Sequence, residues 1–421
     1  MLSLLSTFRC AMFARWGSPF VVALLIGLIP APVRAQVEVT VDVTDGSSVS
    51  GRVDQLTDEQ LFLRIGDDIK PIALSDVLRL SALTPDSSAD DFVTPQPSAT
   101  PWLVTSTGDW LRVHPLMIDD ESVVARWSQF PGQPPLTVPL EVCRGAILEL
   151  PSDAYRQGIE FHSLFDDSQA VDRVVLQNGD RVAGEFFGLE DGKLQLETSL
   201  GMTSAGFQNV RSIAFNPELI STPELPASHV RVVLRDGSLL RLKTALSNGG
   251  VLLGETLADV PVSLPLEHVG EVRFFDADRL PVSTLPIDQM QVTPYLSVKR
   301  SPRSDRNILG GMLRVRGVPV ASGIGASSGS AITFNVQPEH KTLIGRVALD
   351  DAAGDAGSVR FEILGDGQRM WRSTIVTVEG GPVEISRLDV SQVSTLTLQV
   401  DFADRGSIRD VANWCDLVLL K

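Results

Sequence analysis

The sequence predicts an all-β protein in which four small β-barrel repeats precede a C-terminal jelly-roll β-sandwich. Two observations carry this prediction. Short runs in which apolar and polar residues alternate recur along the chain of 421 residues, and this period of two is typical of half-buried strands. Turn dipeptides that contain glycine separate these runs in a repeating plan, which stops near Tyr295 and gives way to a different strand pattern.

Each repeat opens with a strand, a tight turn and a second strand. The turn dipeptides are Asp45-Gly46, Thr107-Gly108, Asn178-Gly179 and Asp236-Gly237. Glycine takes a positive φ at no steric cost, so Asp-Gly and Asn-Gly between alternating runs indicate hairpins. The closing segments read IALSDVLRLSAL, VPLEVCRGAILEL, AGFQNVRSIAFN and LPLEHVGEVRFF. About five short strands per unit is the pattern of a small twisted barrel and resembles the SH3-like or Sm-like barrels.

The repeating strand pattern and the composition predict the domain boundaries. The repeats are predicted at 36–83, 102–151, 172–216 and 229–276, and the sandwich at 286–421. The stretch 84–101 is rich in Pro, Ser and Asp and is predicted to be a disordered linker. One segment, 152–172, is the candidate for a substantial helix.

Residues 1–35 have the pattern of a secretory signal peptide. Arg9 and Arg15 precede the apolar run FVVALLIGLIPAPV, and VRA ends at Ala35, where we expect cleavage. The alternative is an uncleaved membrane anchor, but the run is short for a span of about 20 residues and prolines interrupt its end. We therefore expect a secreted, periplasmic or cell-surface protein with no membrane segment beyond the signal.

The net charge limits the possible partners, and the cysteine content limits the possible zinc sites and disulfides. The formal net charge of -16 disfavours nucleic acid, because an acidic surface repels phosphates. The three cysteines, Cys10, Cys143 and Cys415, form no zinc-binding spacing and no disulfide framework. A bridge between Cys143 and Cys415 would have to join separate domains, so burial as small apolar groups is the expected state.

The C-terminal segment has longer strands, as in SVRFEIL, TLTLQVDF and DLVLL, with an Asp366-Gly367 turn. These features predict an antiparallel β-sandwich. The succession of a GIG turn, LDD..G..GSV.F.I.GDG and D.ANW.D resembles the NPCBM family of carbohydrate-binding modules. The resemblance implies a galactose-binding-like jelly roll that binds glycan. Family members commonly carry a His-Ala pair after the GIG turn, where this chain has Ala326-Ser327.

The candidate ligand-binding residues lie near the C-terminus and the GIG turn. They are Trp414, Asn413, Asp416, Asp410 and Ser327. An aromatic ring such as that of Trp414 can stack on a sugar face, but the apolar neighbours Val411 and Leu417 favour a core position instead. In that alternative, Asn413 and Asp416 form hydrogen bonds that close the sandwich.

The loop DDAAGDAG is a candidate site for a structural calcium ion, through Asp350, Asp351 and Asp355. Calcium prefers six to eight oxygen ligands, and sandwiches of the resembled family often carry such an ion. The alternative is a solvated turn whose carboxylates accept hydrogen bonds from backbone N–H groups.

No catalytic residue is predicted, because the five histidines are scattered without metal spacing or a Ser/His/Asp grouping. Two functions remain. The first is an exported, non-catalytic protein that binds a glycan or polysaccharide through the C-terminal module. The second is a structural or assembly protein whose barrel repeats bind other envelope proteins.

Overall fold

The computed structural model describes residues 37–82, 100–168, 170–295 and 299–421. The predicted signal peptide and all but the last two residues of the predicted linker lie outside these ranges. Strands dominate the described chain, which confirms the all-β prediction. The chain from Ala35 onward forms one compact unit. Within the described ranges, no helix has the length and apolar character that a membrane crossing requires.

The first part of the chain contains four groups of five strands. Group 1 consists of β1 (Glu38–Val43), β2 (Ser48–Leu56), β3 (Gln60–Ile65), β4 (Asp68–Ala73) and β5 (Val77–Ala82). Group 2 consists of β6 (Trp102–Thr105), β7 (Trp110–Ile118), β8 (Ser122–Trp127), β9 (Leu136–Pro139) and β10 (Cys143–Ile147). Group 3 consists of β11 (Asp172–Leu176), β12 (Arg181–Glu190), β13 (Lys193–Thr198), β14 (Gly201–Gly206) and β15 (Val210–Ala214). Group 4 consists of β16 (His229–Leu234), β17 (Leu239–Asn248), β18 (Val251–Thr256), β19 (Pro261–Pro265) and β20 (Val269–Phe275).

Each group lies within one predicted repeat and has the same antiparallel pairing. The first strand pairs with the second and the fifth, and the second, third and fourth pair in succession. A single 3-10 turn precedes every fifth strand, at Leu74–Asp76, Leu140–Val142, Phe207–Asn209 and Leu266–His268. The opening turns contain Gly46, Gly108, Gly179 and Gly237, whose φ angles lie between 86° and 92°. The likeness to SH3-like barrels stays a prediction.

The groups also pair with one another, in an order that differs from the order along the chain. In β10 of group 2, Gly145 and Ile147 lie opposite residues of β15 in group 3. In β5 of group 1, Leu80 lies opposite Val272 of β20 in group 4. The fifth strands therefore join group 1 to group 4 and group 2 to group 3 in one continuous sheet.

Helix α1 (Ala154–His162) connects groups 2 and 3 within the segment predicted to contain a helix. Asp153 caps its N-terminus, since its carboxylate accepts a hydrogen bond from the Arg156 N–H at 2.9 Å. Gly158 faces the sandwich so closely that a Cβ atom there would lie 2.9 Å from Leu309 Cβ. A glycine at this position therefore permits the helix to pack against the sandwich.

The C-terminal part is a sandwich of two antiparallel sheets. One sheet has the order β23-β26-β33-β28-β31, with β21 paired to β33, and the other has the order β22-β27-β32-β29-β30. Their bounds are β21 (Arg279–Pro281), β22 (Ile287–Val292), β23 (Arg303–Ser304), β26 (Gly323–Ala326), β27 (Ser330–Asn335), β28 (Thr342–Leu349), β29 (Val359–Gly365), β30 (Gln368–Arg372), β31 (Val383–Asp389), β32 (Thr395–Phe402) and β33 (Ala412–Leu420). A small hairpin adds β24 (Arg314–Val315) and β25 (Val318–Pro319). Because β21 pairs with β33, the sandwich begins before the predicted boundary at 286.

The last strand, β33, is buried along its whole length. Trp414, Leu417 and Leu419 face the core between the two sheets. On the other face, Cys415 packs beneath the β24–β25 hairpin, and Val418 packs against Phe275 of group 4. Cys415 and Cys143 are both buried free thiols, as the sequence predicted.

Candidate ligand-binding site

Trp414 lies inside the sandwich and offers no ring face to a ligand. Its exposed fraction is 0%, and its ring packs edge to face on Phe361, with centroids 4.9 Å apart and planes at 83°. The structure therefore corrects its assignment as a sugar-stacking residue. Trp414 instead has the core position that was predicted as the alternative, because side chains alternate along β33 and this one points towards the opposite sheet.

Asn413 is equally buried and holds the carboxylate of Asp350. Its Nδ2 donates to Asp350 Oδ2 at 2.7 Å, and the Arg314 N–H donates to the same oxygen at 3.0 Å. Asp350 Oδ1 accepts from the Ala352 N–H at 3.0 Å and from Asn307 Nδ2 at 3.2 Å. Asn413 is thus a structural donor with no exposed surface, which corrects its assignment as a ligand contact.

The loop predicted to bind calcium does not fit that ion. The four hydrogen bonds described above occupy the oxygens of Asp350, and Asp351 Oδ2 accepts from the Gly317 N–H at 2.8 Å. Asp355 is exposed to solvent. Among the residues that the structure describes, no cluster of three or more His, Cys, Asp or Glu side chains could hold a metal ion. Burial, with the neighbouring Asp351 adding to it, raises the pKa of Asp350 to about 6.

Asp416 connects the sandwich to group 4, and protein donors occupy both of its oxygens. It occupies a bulge of β33 at a φ of 52°, and 3% of it is exposed. Its Oδ2 accepts from Arg273 Nη2 at 3.0 Å and from Arg346 Nη2 at 3.2 Å, while Oδ1 accepts from the Ser322 N–H at 3.2 Å. Burial disfavours its charged form, but the two guanidinium groups outweigh burial and hold the pKa of Asp416 below its usual value.

Asp410 has a different environment, at one end of the sandwich. Its Oδ1 accepts from the Ser358 N–H at 3.1 Å, but its buried Oδ2 has no hydrogen-bond partner within the described chain. The buried hydroxyl of Ser358 likewise has no partner there, while the Ser328 hydroxyl lies near enough to the Asp410 carboxylate to act on it. Burial raises the pKa of Asp410, and the nearby Ser328 hydroxyl and Ser358 N–H do not cancel this effect.

These polar groups come from three loops that meet at the end of the sandwich. The loops are the turn between β26 and β27, the segment before β29 and the connection from β32 to β33. Ser327, in the first of these loops, is half-buried, and its carbonyl accepts from Ser330 Oγ at 2.7 Å. Unsatisfied buried polar atoms are costly and uncommon, so a cluster of them marks a position where a ligand or water completes the hydrogen bonds.

Tyr295 lies beside the same loops and is 66% exposed. Its ring contacts Phe402, with centroids 5.6 Å apart, and lies against Gly406. Two residues earlier, the Thr293 N–H donates to the carbonyl of Gly329 in the β26–β27 turn at 2.8 Å. We name Ser327, Ser328, Ser358, Asp410 and Tyr295 the loop surface.

Sequence reasoning identified Ser327 and Asp410 but missed the other three members. A signal for Tyr295 was present, because the chain has only two tyrosines. The other, Tyr155, also borders the β32–β33 connection, since the Arg409 guanidinium lies 5.2 Å from its ring centroid. An exposed aromatic ring beside a carboxylate and hydroxyls offers both an apolar face and hydrogen-bonding groups to a polar ligand.

Comparison with protein families agrees with the predicted resemblance. Residues 280–420 match the model of the NPCBM/NEW2 domain, which confirms that resemblance for the C-terminal part of the chain. No curated protein matches the chain.

Several solved structures resemble parts of the chain. The CBM51-2 and INT domains of Clostridium perfringens ZmpB align at 20% identity over 44% of this chain and 42% of that one, with a TM-score of 0.31. This chain therefore spans less than half of the ZmpB fragment. The CBM51 of Clostridium perfringens GH95, in complex with methyl-galactose, aligns at 20% identity over 34% of this chain and 99% of that one, with a TM-score of 0.30. The tandem CBM51 modules of Sp3GH98 from Streptococcus pneumoniae align at 11% identity over 61% of this chain and 90% of that one, with a TM-score of 0.30. Because these TM-scores are low, the β-sandwich assignment rests on the strand order described above.

Proposed function

We propose that this chain is an exported, non-catalytic protein that binds carbohydrate through the loop surface. The observation that carries the proposal is the incompletely satisfied carboxylate of Asp410 and the unpaired Ser358 hydroxyl, at the end of the sandwich where the exposed Tyr295 ring lies against the β32–β33 connection. Sugars present an apolar ring face together with several hydroxyls. An aromatic ring can stack on that face, and a carboxylate and serine hydroxyls can bond to the hydroxyls. The NPCBM/NEW2 match supports a glycan as the ligand class.

Affinity electrophoresis of the full chain through gels that contain different polysaccharides tests this proposal. We expect retardation by at least one neutral polysaccharide, and Tyr295→Ala should weaken binding by roughly threefold to tenfold, as the loss of about 0.5–1.5 kcal/mol per aromatic contact implies. The matched control is Phe187→Ala, which removes a ring that is 51% exposed on β12 of group 3. Unchanged mobility of the wild type across a broad polysaccharide panel, or equal binding by Tyr295→Ala and the control, would contradict the proposal.

A second candidate function is a structural or assembly role for the repeats. The observation that favours it is a set of exposed apolar side chains in group 3: Phe187, Leu200 and Met202, of which Leu200 is 98% exposed. Among the described strands, β14, which carries Met202, pairs only with β13, so its other edge is available to a partner strand. In-cell cross-linking tests this role. A cross-linked partner should be lost in Met202→Asp and kept in Ile65→Asp, which changes an exposed residue of group 1.

A further inference from the structure

A short basic segment stands out in this acidic chain. The sequence KRSPRSDR places Lys299, Arg300, Arg303 and Arg306 within eight residues of a protein whose net charge is -16. Such a local reversal of charge is typical of a site that binds a negatively charged partner, or of a segment paired with acidic side chains elsewhere. The contacts of Arg303 and Arg306 distinguish these two possibilities.

Arg306 shares an aromatic ring with Arg144, and Arg303 approaches a histidine. The Arg306 guanidinium lies 4.0 Å from the centroid of the Phe165 ring, and the Arg144 guanidinium lies 5.6 Å from the same centroid. Arg303 Nη2 lies 3.5 Å from Nε2 of His162, at the end of α1. Three arginines and one histidine thus converge from three separate segments of the chain.

Acidic side chains offset the charge of this cluster only in part, since the carboxylates of Asp167 and Asp305 act on Arg306. Within the described ranges, neither Arg303 nor Arg306 forms an ion pair, and only Arg144 does so, with Asp167 at 2.7 Å. The nearest acid along the chain, Asp305, is used elsewhere. Its carboxylate binds Arg231 at 2.9 Å and Arg241 at 2.8 Å.

The cluster also holds donors that have no acceptor. Four buried nitrogen atoms find no hydrogen-bond partner among the described residues: Nη1 of Arg306, Nε of Arg303, Nε of Arg144 and Nδ1 of His162. Burial, together with the charges of Arg303 and Arg144, lowers the pKa of Arg306 to about 10. Three like charges that Asp167 and Asp305 offset only in part destabilise a fold, so their convergence here favours the binding of an anion.

We propose that Arg306, Arg303, Arg144 and His162 form a binding site for an oxyanion, namely a sulfate, phosphate or carboxylate group carried by a ligand. The planar guanidinium donates two parallel hydrogen bonds to such a group, and stacking on Phe165 fixes the plane of Arg306 for that purpose. The site shares no residue with the loop surface, and the proposal does not depend on the proposed carbohydrate binding.

Thermal melting of the full chain, followed by calorimetric titration, tests the site with sodium sulfate, sodium phosphate and sodium acetate against sodium chloride at equal ionic strength. Sulfate and phosphate stabilise proteins in general by exclusion from their surface, so we expect at least one oxyanion to raise the melting temperature by more in the wild type than in Arg306→Gln, and the calorimetric titration identifies the group that is bound. Arg306→Gln should weaken its binding roughly tenfold or more, since hydrogen bonds to charged groups are worth about 1.5–3 kcal/mol each. Arg306→Lys should retain part of the affinity, because lysine keeps the positive charge but lacks the two parallel N–H donors of the guanidinium group.

The matched control is Arg126→Gln, which removes one charge from an exposed position in group 2. It should bind the oxyanion as the wild type does. If Arg306→Gln does not fold, Arg303→Gln takes its place. Equal gains in melting temperature for the wild type and Arg306→Gln in every oxyanion, or equal anion affinity for Arg306→Gln and the control, would overturn the proposal. Neutral polysaccharide binding should be unchanged in Arg306→Gln, so a failure of this site is distinguishable from a failure of the loop surface.

Discussion

Asp350 and Asp410 are two buried carboxylates of the same sandwich with opposite surroundings. Burial raises the pKa of both groups. Four protein donors occupy the oxygens of Asp350, whereas Asp410 has only the Ser358 N–H and the nearby Ser328 hydroxyl and lies beside the unpaired Ser358 hydroxyl. Burial alone therefore does not identify a ligand-binding residue. The state of its hydrogen bonds separates a structural carboxylate from one that is available to a ligand.

Asp416 is the saturated carboxylate whose removal should have the largest effect. Asp416→Ala leaves Arg273 and Arg346 without their shared partner, and removing one member of a buried ion pair typically costs about 3–5 kcal/mol. Urea denaturation should show a free energy of unfolding lowered by this amount. The control is Asp355→Ala, at an exposed position. If both substitutions lowered the free energy of unfolding equally, Asp416 would not have the structural role described here.

Asn413 and Asp410 extend the comparison to smaller effects. Asn413→Ala leaves Asp350 without one of its donors, so the free energy of unfolding should fall by about 1–3 kcal/mol. Asp410→Asn keeps an oxygen that can accept from Ser358 and removes a poorly satisfied charge, so stability should stay within about 0.5 kcal/mol of the wild type or rise. Polysaccharide binding should fall only in Asp410→Asn. A large stability loss in that variant would show that Asp410 is structural as well.

The pH dependence of Asp350 follows from its raised pKa. The folded state binds the proton more tightly than the unfolded state, so this group contributes stability at a pH below its unfolded value of 3.8, and the contribution is lost as the pH rises through about 6. The carboxyl carbon resonance of Asp350 should titrate near pH 6. A midpoint near 3.8 would mean that its four donors outweigh burial.

Chelation should have the smallest effect. Because the oxygens of Asp350 already accept four protein hydrogen bonds, EDTA should leave the melting temperature unchanged. Differential scanning calorimetry with and without added calcium measures this. If EDTA lowered the melting temperature and added calcium reversed this change, the predicted calcium site at Asp350, Asp351 and Asp355 would be supported again.

The sequence alone determined the strand content, the hairpin turns, the helix candidate and the family resemblance of about residues 295–421, and the family model matches residues 280–420. These features are local, because a period of two and a glycine at positive φ act within a few residues. Only the tertiary structure decided that group 1 pairs with group 4, that β33 is covered on both faces, and that Ser328, Ser358 and Asp410 meet at one end of the sandwich. Alternation specifies that a strand has two faces, but what covers each face, and which hydrogen bonds stay open, depends on residues that are distant in the chain.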